Sequence, residues 1–202
     1  MISATNDTLL DDIVIRRVWP AEFAALRAHL KRLDPESRQM RFGGAVSDRF
    51  IDEYVDSAHR LGTVVYGAFH GDDLVAAGEL RAIFDAWPLA AEAAFSVEKA
   101  WQDHGLGDTL MGRIITVAQN RGIATVYMIC MRENARMQHL AGKHKARLKV
   151  EEGDVAGQLA PAWPTPSSLM EEFFDQANGF VTAVLSWPSR EPAHRDGEAA
   201  EK

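Results

Sequence analysis

Six consecutive residues, Gln102-Asp103-His104-Gly105-Leu106-Gly107, have the composition of a backbone cradle for phosphate. Glycine reaches positive φ without penalty and leaves room for amide groups to converge on one concavity. Downstream, Leu106, Leu110, Met111, Ile114, Val117 and Ala118 recur at helical spacing. The loop therefore opens a helix whose free N–H groups and positive dipole end add to the same anion site. Upstream, Ala93 to Val97 reads as a short buried strand, and Arg121-Gly122 closes the helix with a cation and a C-terminal glycine. Strand, glycine loop and helix together point to a pyrophosphate-bearing cofactor. Spacing alone leaves the plain alternative, glycines that serve only the turn.

Gln102-x-x-Gly105-x-Gly107 resembles the acyl-coenzyme A signature of the GCN5-related N-acetyltransferases (GNAT), [Gln/Arg]-x-x-Gly-x-[Gly/Ala]. Ala91 to Val97 is similar to the strand before that signature, Ile123 to Met131 to the strand after its helix, and Glu133-Asn134-Ala135-Arg136-Met137-x-x-Leu140 to the next helix start. Leu33 to Phe42 is similar to a segment of the branch that includes bacterial protein lysine acetyltransferases. The likeness covers about residues 13 to 160. It implies an α/β (α+β) GNAT fold: a mixed, mostly antiparallel central sheet of six to seven strands, about four flanking helices, and a V-shaped splay between the two central strands.

The implied chemistry is direct attack of a primary amine on the thioester of acetyl-CoA in a ternary complex, with a protein lysine the slightly preferred acceptor and small amines open. A free lysine is overwhelmingly protonated at neutral pH, so a carboxylate must take a proton, directly or through water. Glu92, at the head of the strand leading into the loop, matches the position of the family's glutamate and is the candidate base; Glu79 is the second. Cofactor contacts are carried over to Phe95, Ser96, Val97, Gln102, Asp103, His104, Gly105, Leu106, Gly107, Asp108 and Asn134. A backbone N–H around Phe95 to Val97 would meet the thioester oxygen, and His104 would lend only its amide. Asn134 reads equally as a helix N-cap. The chain departs from the family pattern at Ala141, where a tyrosine often protonates the departing thiolate, and at Lys145-Ala146, where Gly-Phe is usual. These departures keep open an alternative: a non-catalytic acyl-CoA-binding sensor or regulatory module.

Composition frames these readings. The chain has 202 residues, 47% of them hydrophobic, enough for one sizeable core. A net charge of −7 and a pI near 5.5 argue against nucleic-acid or anionic-membrane partners. Arg132, Arg136, Lys143, Lys145, Arg147 and Lys149 form one basic stretch that reads first as a solvated helix and strand edge and otherwise as a contact with cofactor phosphates or an acidic partner, and Arg38 and Arg41 read first as surface charges beside a helix break and otherwise as residues shaping the acceptor side. A single cysteine, Cys130, allows no intrachain disulfide and sits in an apolar run. With no signal-like N-terminus and no apolar run of about 18 residues, the expectation is a cytoplasmic protein without a metal.

The elements that must position these residues follow from periodicity. Ile13 to Arg17 reads as a strand; Phe23, Leu26, Leu30 and Leu33 as a helix face stopping at Asp34-Pro35; Asp48 to His59 as a helix capped by Ser47. Thr63 to Phe69 and Leu74 to Ile83 read as a hairpin, Leu148 to Glu151 and Val155 to Leu159 as another. Residues 1–160 form the expected catalytic domain. Residues 161–187 form an extension with a helix at Ser168 to Gln176 and strand character from Phe180 to Trp187, packing on the domain or across a homodimer. Residues 188–202 read as a disordered tail after a polar lead-in at 1–12.

Overall fold

The structure is a computed structural model and describes residues 12–59, 62–151 and 154–185. Val64 to Phe69 and Leu74 to Leu80, apolar but for the tyrosine at Tyr66 and the carboxylate at Glu79, are buried along their whole length, as strands covered by helices on both faces must be. They are the second and third of seven strands: β1 (Ile13–Val18), β2 (Thr63–His70), β3 (Asp73–Ile83), β4 (Ala90–Val97), β5 (Thr125–Met131), β6 (Arg147–Glu151) and β7 (Asp154–Leu159). Their order is β1-β2-β3-β4-β5-β7-β6, antiparallel except between β4 and β5. This is the mixed, mostly antiparallel sheet of the sequence expectation.

Among the described residues six α-helices flank it: α1 (Phe23–Arg32), α2 (Pro35–Phe42), α3 (Asp48–Ser57), α4 (Leu106–Asn120), α5 (Ala135–Lys143) and α6 (Pro166–Leu185). On one face, Leu106, Leu110, Met111 and Ile114 of α4 pack against Tyr66, Leu80, Ala91 and Val126. On the other, Phe23, Leu26 and Leu30 of α1 and Ile51 and Val55 of α3 pack against Val65, Phe69, Leu74 and Ala77. Each fully buried leucine or isoleucine contributes about 1.5–3 kcal/mol through area removed from water. The two cores thus fix the helices on the sheet, and the sheet fixes the loops at its ends.

Three parts of the sequence reading change. The break at Asp34-Pro35 is also a start: the Asp34 side chain accepts from the Ser37 N–H at 3.2 Å, Pro35 occupies the first helical position, and Gly43 at φ +72° closes α2. Phe180 to Leu185 is helical rather than extended, because α6 runs unbroken from Pro166. It lies on β1 and α4, with Arg113 bonded to Glu171 at 2.9 Å and to Asp175 at 2.5 Å and the Asn120 amide donating to Ser168 O and Glu172. Arg41 is buried rather than at the surface. The lead-in at 1–11, the turn at 152–153 and the tail from 186 lie outside the described residues.

Candidate active site

The strands β4 and β5 pair over only three positions, Ala90 with Thr125, Ala91 with Val126 and Glu92 with Tyr127. Beyond Glu92, β4 keeps its register with β3 to Val97 while β5 runs on beside β7 to Met131. The two central strands therefore part, and the β5-facing edge of Ala93 to Val97 is left to other partners. Into this splay open the loop after β4, the first turn of α4 and the start of α5, which together with α2 enclose a cavity of about 710 Å³. That volume lies in the range of small-molecule and cofactor sites.

Eleven expected contact residues, Phe95, Ser96, Val97, Gln102, Asp103, His104, Gly105, Leu106, Gly107, Asp108 and Asn134, meet at this place. All but His104 line the cavity itself. The His104 ring turns back, its Nδ1 2.6 Å from Gln102 O, so that only its backbone is offered to the loop. Asp103 and Gly105 both adopt positive φ, +64° and +80°, and this alternation turns successive amides toward one side just before α4 begins. Leu106 buries its side chain in the core, which anchors the first turn and leaves its N–H to the cavity. Asp108 is bonded to Lys143 at 2.7 Å and to His144 at 2.8 Å, which ties α4 to α5 and holds its carboxyl below the usual value.

Gln102 knits the walls together. Its Nε2 donates to Val97 O at 3.0 Å and to Ser37 Oγ on α2 at 3.1 Å, while its Oε1 accepts from Arg136 on α5. Arg136 also bonds Asp103 at 3.1 Å. This residue of the basic stretch therefore stands at the mouth of the cavity, and Lys143 joins it in the lining. Asn134 caps α5, its Oδ1 accepting from the Met137 N–H at 3.0 Å. Ala141 is buried in the core and brings no hydroxyl.

The two carboxylates singled out in the sequence have opposite surroundings. Glu79, fully buried on β3, accepts from Arg41 at 2.5 Å, from the Tyr54 hydroxyl at 2.9 Å and from Arg81 at 3.2 Å. Burial pushes its carboxyl upward, but the two guanidinium groups outweigh that and hold it below the usual value. Burial and the Glu79 charge push the Tyr54 phenol up to about 12. Glu79 is thus a closed ion-pair centre and a poor proton acceptor. Glu92 is exposed, at the crotch of the splay, on the same sheet face as Ser96. It does not line the cavity, and four residues of strand place it about 13 Å along β4 from Ser96.

The pairing of Arg41 with Glu79 and the partners of Ser96 escaped sequence reasoning. Arg41 lines the cavity from α2 while paired with Glu79, a contact 38 residues apart that no local pattern announces. Ser96 Oγ lies 2.9 Å from Nε2 of His29, whose Nδ1 is 3.0 Å from Glu98. Only the αL closure at Gly43 and the Asp34-Pro35 start gave a local sign of α2, the element that carries Arg41. Among the described residues no group of three His, Cys, Asp or Glu is placed to hold a metal ion, and no helix is long and apolar enough to cross a membrane.

A sequence model described as the Acetyltransferase (GNAT) family matches residues 24–145, more than half of the chain. No curated protein matches the chain. Among solved structures, the GNAT domain of S. lividans PAT superposes with a TM-score of 0.62 at 22% identity, covering 72% of this chain and 89% of that one. YncA from Salmonella typhimurium, solved with its cofactor acetyl-CoA, gives 0.58 at 19% identity over 75% and 95%. The PaiA N-acetyltransferase from Thermoplasma acidophilum, in complex with coenzyme A, gives 0.55 at 18% identity over 73% and 98%. At these identities the likeness is one of fold.

Proposed function

Because the chain belongs to the acetyltransferase (GNAT) family, we propose that it moves an acetyl group from acetyl-CoA to a primary amine by direct attack in a ternary complex. The observation that carries this reading is the convergence, on one cavity, of the unpaired edge of β4, the positive-φ loop and the N-terminus of α4. A pantetheine chain would complete the interrupted pairing of β4, and the pyrophosphate would take the amides of Gly105 to Asp108. Arg136, already at the mouth, would exchange its contacts with Gln102 and Asp103 for a phosphate.

A backbone N–H between Phe95 and Val97 would stabilise the oxyanion, and holding both reactants in the splay makes the step effectively intramolecular. Glu92 is the base of this proposal. Its separation of about 13 Å along β4 from Ser96 favours a path through ordered water to the nitrogen over direct contact. Its exposure on the splay leaves room for an acceptor to approach. A protein lysine is the preferred acceptor, supported by the resemblance of Leu33 to Phe42 and by the likeness to the PAT domain.

A second reading, an acyl-CoA sensor without turnover, is favoured by the core alanine at position 141. Both readings are tested by incubating the purified protein with acetyl-CoA and a panel of proteins and small amines, following free CoA for the wild type and Glu92→Gln. Release that disappears in the variant while calorimetry shows CoA still bound supports the transferase. Tight binding with no release on any acceptor supports the sensor, and absence of binding sinks both.

A further inference from the structure

A histidine sits beneath the cavity with both ring nitrogens engaged. His29 of α1 is fully buried, its Nδ1 3.0 Å from Glu98 Oε1 and its Nε2 2.9 Å from Ser96 Oγ. An ionised carboxylate only accepts, so Nδ1 carries the hydrogen, and in the neutral ring Nε2 accepts from the Ser96 hydroxyl. Arg32 fixes the far end: its Nε donates to Glu98 at 3.1 Å and its Nη2 to Leu74 O at 2.7 Å. Burial pushes the Glu98 carboxyl up, but the bond from His29 and the charge of Arg32 outweigh it and keep it ionised. The order hydroxyl, imidazole, carboxylate is the order of a proton-transfer chain in which the third group orients the second.

Placement separates this chain from a histidine held only for packing. Its outer member, Ser96, lines the cavity on β4, among the residues proposed to receive the thioester. Ring protonation reverses the bond, with Nε2–H donating to Oγ, and releases the Ser96 hydroxyl hydrogen for another acceptor. The chain also stands where the reaction lacks an acid, because residue 141 is a buried alanine.

Resting on the acetyl-transfer reading, we propose that Ser96, backed by His29 and Glu98, protonates the coenzyme A sulfur as the carbon–sulfur bond breaks. The step starts from the doubly protonated His29 ring, with Nδ1–H on Glu98 and Nε2–H on Ser96 Oγ, and as the tetrahedral adduct collapses the C–S electron pair moves to sulfur. The Ser96 hydroxyl proton passes to that sulfur, and the Nε2 proton passes to Ser96 Oγ. The products are the amide, neutral CoA thiol and a neutral His29 still bonded through Nδ1–H to Glu98. The proton lost by the attacking nitrogen leaves through Glu92 to water. The ring regains its proton from water through Ser96 once the products depart. Ser96 is then the catalytic residue, and His29 and Glu98 are positioning residues that act through it.

The test needs no acceptor: coenzyme A itself is the probe, and the thiolate absorbance of its bound form is titrated with the wild type, Ser96→Ala and Glu98→Gln. A hydroxyl that donates to the thiolate stabilises it, so bound CoA should be about tenfold more ionised at a given pH in the wild type than in Ser96→Ala, with Glu98→Gln between them. With any acceptor that supports turnover, Ser96→Ala should lower kcat about 100-fold while KM for acetyl-CoA moves little. Equal thiol ionisation in wild type and Ser96→Ala, with CoA bound to both, overturns the relay and leaves the transferase reading standing. Failure of CoA to bind the wild type overturns both. His29→Gln is omitted because a buried change there can unfold the protein for reasons unrelated to proton transfer.

Discussion

Replacing Gly107 by alanine should raise the stability of the fold and leave its affinity for coenzyme A within about twofold, because the signature it resembles admits alanine at this position, whereas a branched residue there should weaken binding. Gly107 is the second residue of α4, with no positive φ, and a methyl group built on it would lie 3.5 Å from Leu140 Cδ2, an ordinary contact. The folded chain therefore accommodates it. Alanine is a better helix former than glycine by up to about 1 kcal/mol, and near a terminus about half of that is realised. A gain of about 0.5 kcal/mol corresponds to roughly 1–2 °C in Tm for a chain of this size. Valine at this position would instead carry two further carbons between the first turn of α4 and Leu140, both lining the cavity, where the proposed phosphate would approach the amides. Losing one charge-assisted bond of about 1.5–3 kcal/mol weakens binding by roughly tenfold to a hundredfold. Gly112→Ala is the control: it lies in the same helix with nothing within 4 Å of the added carbon and outside the cavity, so it should stabilise without touching affinity. Calorimetry with CoA and scanning calorimetry of the free proteins read both effects. Gly107→Val binding CoA within twofold of the wild type would refute the assignment of this turn as the phosphate site, and Gly107→Ala unfolding earlier than the wild type would refute the packing argument.

Two further outcomes are expected of the fold. Arg41→Met leaves Glu79 buried with Arg81 and Tyr54 as its remaining donors, and should cost about 3 kcal/mol, near the lower bound for breaking a buried pair; a loss below about 1 kcal/mol in urea denaturation would show that Arg81 alone compensates the charge. The guanidinium groups beside Glu79, and the bond from His29 with the charge of Arg32 beside Glu98, hold both carboxyls below the ordinary glutamate range in the folded chain, so their contribution is fully present above that range and is lost as pH falls through their folded values. Tm should therefore hold from pH 7 to about 5 and fall below 4.5, with a smaller fall in Glu98→Gln, and an unchanged slope in that variant would remove Glu98 from the account.

Much of the fold was legible because its signals are local. Ser47 caps α3 by accepting from the Phe50 N–H at 3.2 Å, Asn134 caps α5, and Gly122 at φ +64° ends α4, each as its residue type and position foretold. Alternation and apolar runs placed β1, β2, β3, β6 and β7 to within a residue, and the family resemblance placed β4 and β5 to within two. The loop at Gln102 to Gly107 was legible for the same reason: its glycine and its place between a strand and a helix are properties of consecutive residues. Where local signals mislead, the cause is also physical. The run Phe180 to Leu185 has β-branched and aromatic residues, yet it continues a helix whose earlier turns are bonded to Arg113 and Asn120, and tertiary contact overrides its propensity.

The residues that set the electrostatics of the site were hidden from the sequence. His29 meets Ser96 across 67 positions and Glu98 across 69, and Arg41 meets Glu79 across 38. Nothing in the types or spacing of these residues distinguishes them from ordinary surface charges. The sequence by itself determined which segments become helix and strand, where the amide-rich turn lies and to which family the chain belongs, since each is written in neighbouring residues. Only the tertiary structure decided that Glu79 is locked by two guanidinium groups while Glu92 stays open, and that Ser96 is backed by a buried imidazole. Burial and charge pairing depend on which distant elements pack together, and that is fixed by the whole core rather than by any stretch of it.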